Sequence, residues 1–291
     1  FAEIVANRIG DRLYSVAPVN EPWCVAWLSH YHGYHAPGIA DLGQAAKAMH
    51  HVALAHGLAA EVLHAKGVRN VGAACNLEYA LPARDTDADR AAARLYDGIY
   101  NRWFAGAMTR GEYPVDVLDG LAPHMPEGWQ DDMAVIAQPL DWFGINYYTC
   151  QRLTGGEGRW PYLATVPGDL PKTGMGWEIC PEGLEWLLKR MAADYTGDIP
   201  LFVTENGLAN PDTDTRPDVE RVDYLDAHFH AALRAIAAGV PLQGYTVWSL
   251  LDNYEWTLGY EKRFGLVHVD FESQRRTPKA SYRALAEALA R

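Results

Sequence analysis

The sequence predicts an α/β chain of the (β/α)8, or TIM, barrel class, with only about five of the eight strand-helix units present. Three observations lead there. Extended apolar segments begin near Leu13, Val68, Leu140, Ile199 and Pro241, with helical stretches between them. Strand–helix alternation of this kind implies parallel strands joined by right-handed crossovers. Two of the segments, far apart in sequence, each run into a carboxylate followed at once by turn residues, Glu21-Pro22 and Glu205-Asn206-Gly207. In α/β folds the carboxyl ends of strands are where ligands and catalytic groups collect. A closed barrel needs eight units, and the 291 residues are used up by five units and one leading helix. The expectation is therefore a single domain, residues 1–291, forming the C-terminal part of a barrel whose first three units are missing. The chain opens on Phe1.

Taken in order, residues 1–12 read as the end of a helix with Ile4, Val5 and Ile9 on one face. The first strand climbs from Leu13 to Glu21, where Pro22 enforces the turn. Residues 23–40 read as a loop ending in His35-Ala36-Pro37-Gly38. Asp41 is placed to cap an Ala-rich helix that runs to about Lys66, with Gly67 just past its end. Val68–Asn76 is the next strand, and Asp85-Thr86-Asp87 caps a helix over about 88–106.

Residues 107–138 read as irregular, broken by Pro114, Pro123 and Pro126. Leu140–Tyr148 is the third strand, and residues 150–177 a long Gly/Pro-rich loop of the kind that walls a site. Pro181 opens a helix whose Leu184, Leu187, Leu188 and Met191 fall at helical spacing. The Glu205 strand follows, then a helix over about 218–238 with Leu225, Phe229, Ala232 and Ile236 on one face. Pro241–Leu250 is the last clear strand. A polar-aromatic loop (252–264), a short extended piece (266–271) and a helix opened by Pro278 finish the chain.

Composition narrows the function. A net charge of −12, from 25 basic and 37 acidic residues, argues against non-specific nucleic-acid binding. With 49% hydrophobic residues the chain can bury a large core, yet no apolar run approaches the ~18 residues of a membrane span. Cys24, Cys75, Cys150 and Cys180 form no Cys-x-x-Cys pair and read as reduced packing residues, a disulfide being the alternative. With no signal peptide visible, the expected location is cytoplasmic. Ten Trp and sixteen Tyr supply flat faces with polar edges that suit sugar rings, although most could equally be core.

An isolated Glu at a strand end is more often simply solvated. A pair of them suits glycosidic bond cleavage, in which one carboxyl protonates the leaving oxygen while the other attacks or activates water. Asn20-Glu21-Pro22, Thr204-Glu205-Asn206-Gly207 and Trp248-Ser249-Leu250-Leu251-Asp252-Asn253-Tyr254-Glu255-Trp256 strongly resemble the signatures of family 1 of the glycoside hydrolases, the β-glucosidase family. His35-Ala36-Pro37-Gly38, Gly144-Ile145-Asn146-Tyr147-Tyr148 and Lys262-Arg263-Phe264-Gly265 fit it in the same order. Six motifs in register carry far more weight than any single tripeptide.

The resemblance implies a retaining β-glycosidase acting by double displacement on a β-linked glucoside or related small glycoside. Glu21 would be the acid/base and Glu205 the nucleophile, their carboxyls about 5–5.5 Å apart. Asn20 would hold the sugar 2-OH, and Tyr148 would hydrogen-bond Glu205 and help keep it ionised. Trp248 would offer a stacking face, Trp256 an indole N–H, and Glu255 two acceptor oxygens for the 4-OH and 6-OH. Core packing is the plainer account of the two tryptophans, and Glu255 tips the balance. Relatives that take 6-phosphorylated sugars carry Ser in place of that Glu, so Glu255 with Phe264 points to an unphosphorylated sugar. No metal or other cofactor is implied.

The chain departs from the family where its first three units would supply glycone-binding residues and an Arg partner for the nucleophile. An open barrel exposes sheet edges, so a complementing N-terminal segment or a homo-oligomer is the expected partner. The alternative is a truncated, non-catalytic half-barrel that binds sugar weakly or self-associates. Neither His30, His32 and His35 nor His50, His51 and His56 has zinc-helix spacing; His50, His51 and His56 read as helix-face or core residues. Thr154–Gly158 lacks the Lys and helix of a phosphate loop, and Ser249 lacks the context of a nucleophile.

Overall fold

The computed structural model describes residues 1–210 and 218–290. Its centre is a sheet in which β1 (Gly72–Pro82), β2 (Trp142–Gly155), β4 (Leu201–Asn206) and β5 (Leu242–Val247) lie side by side in that order, all parallel. β3 (Leu163–Val166) folds back antiparallel on the end of β2, and β6 (Val267–Val269) pairs with β7 (Arg276–Pro278) as a separate ribbon. The helices are α1 (Ala2–Ile9), α2 (Leu42–Ala65), α3 (Asp87–Asp97), α4 (Trp103–Arg110), α5 (Val115–Leu121), α6 (Met133–Ile136), α7 (Pro181–Met191), α8 (Val219–Ala237) and α9 (Ala280–Leu289). Among the described residues no helix is long and apolar enough to cross a membrane.

The first expected strand is the least regular. Residues 13–21 run extended beside β1 but join it only through bridges at Val16–Val71 and Asn20–Ala74. Pro18 lies between the bridges and has no N–H to give the ladder. The parallel order of five segments nevertheless matches the expectation. Other differences are local. Residues 22–30 are helical rather than a loop, α3 continues through a π-type turn (Gly98–Arg102) into α4 as far as Arg110, and residues 107–138 contain α5 and α6. β2 extends to Gly155, so the expected 150–177 loop begins as a hairpin. The last strand stops at Val247, and Pro278 ends β7 rather than opening the final helix.

Capping follows the sequence. Asp41 accepts from the Gln44 N–H at 2.8 Å, Thr86 Oγ1 accepts from the Asp89 N–H at 3.2 Å, and Pro181 opens α7. Phe143, Ile145, Leu201 and Val203 pack outward against Trp103, Phe104, Leu184, Leu187 and Leu188, so the core lies between the sheet and its helices. Ile236 is exposed on α8, whose buried face is carried instead by Tyr224, Leu225, His228, Ala232 and Ala235. Ile4 and Ile9 of α1 are also exposed. Beside them an apolar groove of about 550 Å³, lined by Phe1, Val5, Val16, Pro18, Leu58 and Val62, marks the free edge of the sheet.

Candidate active site

With Leu201 and Val203 facing the helices, strict alternation would send Glu205 the same way, into the core. The register prevents this. Ile145 pairs with Val203, but Asn146, its neighbour, pairs with Glu205, so Thr204 is an extra residue in β4. Such a bulge re-aims the side chain beyond it, and it turns Glu205 to the inner face with Asn146. Asn206 is the last residue of the strand, not the start of a turn. Its amide is bonded to the Tyr147 carbonyl (2.7 Å) and to the hydroxyls of Tyr224 (2.9 Å) and Tyr245 (2.6 Å). Gly207 is required by close approach, since a Cβ there would lie 1.8 Å from the Trp248 carbonyl oxygen.

Glu21 reaches the same face from the sheet edge. Its N–H donates to the Ala74 carbonyl at 2.9 Å, and its φ of 50° lies in the left-handed region that disfavours a residue with a Cβ. Strain of this kind persists only where the surroundings over-determine it. Here the β1 bridge, Pro22 and the helical turn behind it do so.

Asn146 joins the two carboxylates. Its Nδ2 donates to Glu21 Oε1 (2.9 Å) and to Asn20 Oδ1 (3.1 Å), and its Oδ1 accepts from Thr204 Oγ1 (2.6 Å). In the β2–β4 ladder it stands opposite Glu205, whose Oε2 accepts from Tyr148 at 2.7 Å. The Tyr148 ring is held by Trp177 (5.4 Å) and by buried Phe264 (6.0 Å). The loop after β5 is anchored by buried Asp252, which accepts from Arg263, Lys279 and the N–H groups of Gly265 and Val269. That anchor leaves Glu255 free to enter the cleft, where Asn253 donates to it at 2.9 Å. The Trp248 side chain favours the charged form of Glu255. Trp256 is 67% exposed on the rim, its ring 5.7 Å from that of His35.

The carboxylates feel one another. Burial pushes the Glu21 carboxyl up, against the hydrogen bonds of Asn146 and Cys24. Burial and then the Glu21 charge push Glu205 up to about 7, with Glu255 adding to the rise and Tyr148 opposing it. Burial, with the Glu21 charge behind it, also raises Glu255. Three carboxyls from residues 21, 205 and 255 thus share one concave face. Tyr148 favours the charged form of Glu205, while burial and the negative charges of Glu21 and Glu255 oppose it.

The model of glycosyl hydrolase family 1 matches residues 1–291. The chain belongs to that family. It is similar to Beta-glucosidase A of Thermotoga maritima, 39% identical over 288 residues, and to a Beta-glucosidase of Agrobacterium sp., 40% identical over 305 residues. These alignments cover 97% and 98% of this chain but 64% of each relative, so the family 1 chain spans somewhat under two thirds of their length. The solved structure of the family 1 β-glucosidase from T. maritima superposes with a TM-score of 0.94 at 38% identity, covering 99% of this chain and 66% of that one. The same enzyme has been solved in complex with deoxynojirimycin, again at a TM-score of 0.94. The five parallel segments are accordingly part of a (β/α)8 barrel, with the inner face as the barrel interior.

Three residues of this family 1 site were not singled out from sequence. Asn146 belongs to the Gly144–Tyr148 motif, but its place between the carboxylates comes from pairing. Trp177 ends the segment expected to wall a site, without a part of its own in that expectation. Asn76, 5% exposed on the inner face of β1, has no partner for either amide atom among the described residues. No group of three or more His, Cys, Asp or Glu among the described residues is placed to hold a metal ion.

The carboxyl shifts set the pH dependence of stability. A carboxyl whose folded pKa is raised stabilises the fold fully below its unfolded value, and that contribution disappears as pH rises through the folded value. Glu205 and the half-buried Glu78 of β1 are both pushed from 4.5 to about 7. Asp218 and Asp252 behave oppositely. Burial raises them, but Ser281 and Arg221, and Lys279 and Arg263, hold them below their usual range. Their contribution is lost in acid, as pH falls below about 4. Scanning calorimetry should therefore place the highest Tm near pH 5, with a fall of several degrees by pH 8; a Tm that rises over that interval contradicts the reading.

Proposed function

We propose that this chain carries the reacting carboxylates of a retaining β-glycosidase for unphosphorylated β-glucosides or related small glycosides. The observation that carries the reading is Asn146, which donates to Glu21 at 2.9 Å and stands opposite Glu205 in the β2–β4 ladder. One residue can adjoin both only if the two carboxyls face the same small volume, and one bound sugar ring would fill it.

In the first step Glu205 attacks the anomeric carbon while Glu21 gives its proton to the departing oxygen. The glycosyl ester on Glu205 replaces the glycosidic bond, and the aglycone leaves with the proton. In the second, Glu21 takes a proton from water, whose oxygen displaces Glu205 and restores the β-configuration. Asn20 would hold the 2-OH and Glu255 the 4-OH and 6-OH. Trp248 would orient Glu255, consistent with its indole N–H, and Trp256 would supply a donor once the rim closes on the glycone.

The mechanism needs one proton on the pair, placed on Glu21. Mutual repulsion keeps one proton between them over the neutral range. Tyr148 favours charge on Glu205, and the Arg implied by the family resemblance would complete that preference. The proposed partner is therefore the preceding part of the barrel, in the same polypeptide or in another chain, covering the apolar groove at the sheet edge. The non-catalytic half-barrel is favoured by one observation, the push of Glu205 to about 7 beside Glu21 and Glu255.

Incubation with an activated 2-deoxy-2-fluoro-β-glucoside separates the readings. Fluorine slows the second step more than the activated first step, so the protein should gain one glycosyl unit on the peptide containing Glu205. No label, with the preceding barrel units supplied, refutes the enzyme reading.

A further inference from the structure

Tyr148 and Glu205 both stand at breaks in the ladder. In β2, Tyr148 and Thr149 face the single residue Glu78 of β1, because pairing jumps from Leu77–Tyr147 to Tyr79–Cys150. In β4, Thr204 is the extra residue. A bulge leaves backbone groups without their ladder partners, and consecutive carbonyls of a regular strand point to opposite sides. Here the carbonyls of Tyr147 and Tyr148 are both taken up by one group of side chains behind the sheet. Asn206 Nδ2 donates to the first at 2.7 Å and the Tyr224 hydroxyl to the second at 3.2 Å.

The direction of each bond in that group is forced. A carbonyl only accepts, so the Asn206 amide must turn its NH2 toward Tyr147. Its second N–H then meets the Tyr224 hydroxyl at 2.9 Å, which has to accept and so sends its own proton to the Tyr148 carbonyl. Asn206 Oδ1 is left to accept from Tyr245 at 2.6 Å. Asn206 and Tyr224 are both buried. The Tyr224 ring stacks 3.9 Å from that of His228, whose Nδ1 donates to the Tyr224 carbonyl at 2.7 Å. Through one hydroxyl α8 thus grips β2 at the residue that hydrogen-bonds Glu205, and β4 at the residue that follows Glu205.

We propose that Tyr224, which lies outside every motif read from the sequence, is a positioning residue for Glu205: its hydroxyl ties the Tyr148 backbone to Asn206 and so aims the Tyr148 hydroxyl that donates to Glu205 Oε2 at 2.7 Å. A tyrosine needed only for packing would be served by Phe, which keeps the stack on His228 and the buried volume. Asn206 would still hold Tyr147 and Tyr245. Trp177 and Phe264 confine the Tyr148 ring, but the bulge sets the backbone from which that ring reaches into the cleft. A hydrogen bond weakens steeply with misalignment, and one donated to a carboxyl favours its charged form. Tyr224 acts only through Tyr148 and Asn206. The inference takes Glu205 as the nucleophile of the proposed reaction, but the coupling itself can be read without turnover.

The test is a 13C-detected titration of the glutamate carboxyls in the chain and its variants. In Tyr224→Phe the Glu205 midpoint should rise by about half a unit, because Tyr148 then donates less well to the charged form. In Tyr148→Phe it should rise further, and adding Tyr224→Phe to that variant should move it no more. Leu225→Ala, a buried neighbour on α8, is the control: it should lower Tm at least as far and leave the midpoint in place. Should Tyr224→Phe not fold, Tyr245→Phe loosens Asn206 from the β5 side and is expected to raise the midpoint in the same sense. An unmoved Glu205 midpoint in a folded variant overturns the proposal, as does a shift of equal size with and without the Tyr148 hydroxyl. If the midpoint moves while the assembled protein hydrolyses no β-glycoside, the proposed function fails and the coupling stands. If it does hydrolyse one, Tyr224→Phe should lower kcat by about 3- to 10-fold with KM nearly unchanged; a change confined to KM overturns the proposal.

Discussion

Glu205→Gln, in the chain assembled with its remaining barrel units, is expected to lower kcat on a p-nitrophenyl β-glucoside by about 10⁴-fold or more. The same substitution should raise Tm at pH 8. The amide keeps the volume, and its oxygen can still accept from Tyr148, so the 2.7 Å contact that orients the side chain survives. Its neutral oxygen is too weak a nucleophile to displace the aglycone at the anomeric carbon, and it has no charge to stabilise an oxocarbenium-like transition state. It also removes an ionisable group that burial and two neighbouring carboxylates push to about 7. At pH 8 the parent has to hold that charge in the fold and the variant does not. Activity falling while stability rises is the signature of a group placed for chemistry at the expense of folding. A purely structural Glu205 would lose stability on substitution, and residual turnover near the parental rate would remove it from the mechanism. The measurement is kcat together with Tm at pH 5 and pH 8; the stability gain should nearly vanish at the lower pH, where the parent carboxyl is already protonated.

The fold was legible where periodicity and caps act locally. Asp41, Pro181 and the leucines of α7 gave their helices because each element's own residues satisfy its ends and bury its face. The five-segment parallel order was legible from alternation alone. What escaped depends on partners distant in sequence. Glu205 shares parity with Leu201 and Val203, and only the bulge against Asn146 and Ile145 lifts it out of the core face. Alternation alone would bury Glu205. Pro18 interrupts the first strand through a bond it cannot donate, a loss visible only once Val71 and Ala74 are known to be opposite. Ile236 fitted a helical face in sequence yet lies exposed, because α8 meets the sheet through Tyr224 and His228 instead. The ionisation of the pair was the furthest out of reach. It depends on burial and on the charges of Glu21 and Glu255, and no spacing encodes either.

Glu21→Ala should divide substrates by leaving group, which Glu205→Gln cannot do. With a poor leaving group such as an alkyl alcohol, the first step loses its proton donor, and kcat/KM is expected to fall by about 10² to 10⁴. With 2,4-dinitrophenolate, which departs without a proton, glycosylation should be nearly spared, and the slow step becomes attack by water lacking its general base. A small anion then has room in the volume vacated by the carboxylate, and no negative charge at position 21 repels it. Added azide should restore turnover of the dinitrophenyl glucoside and give a β-glucosyl azide, because it enters from the face the aglycone left. The stereochemistry decides the assignment. An α-azide would place the anion on the Glu205 side and exchange the two roles, whereas release of α-glucose from the parent would mean inversion. The backbone bears on the choice of variant as well. Glu21 sits at φ 50°, so Ala keeps the strained conformation under the same constraint, whereas Gly would relax it and mix a change in loop position into the kinetics. If the β-azide forms with Ala at position 21, the turn is being held by Ala74, Pro22 and the packing behind Cys24, and the carboxylate contributes the proton transfer alone.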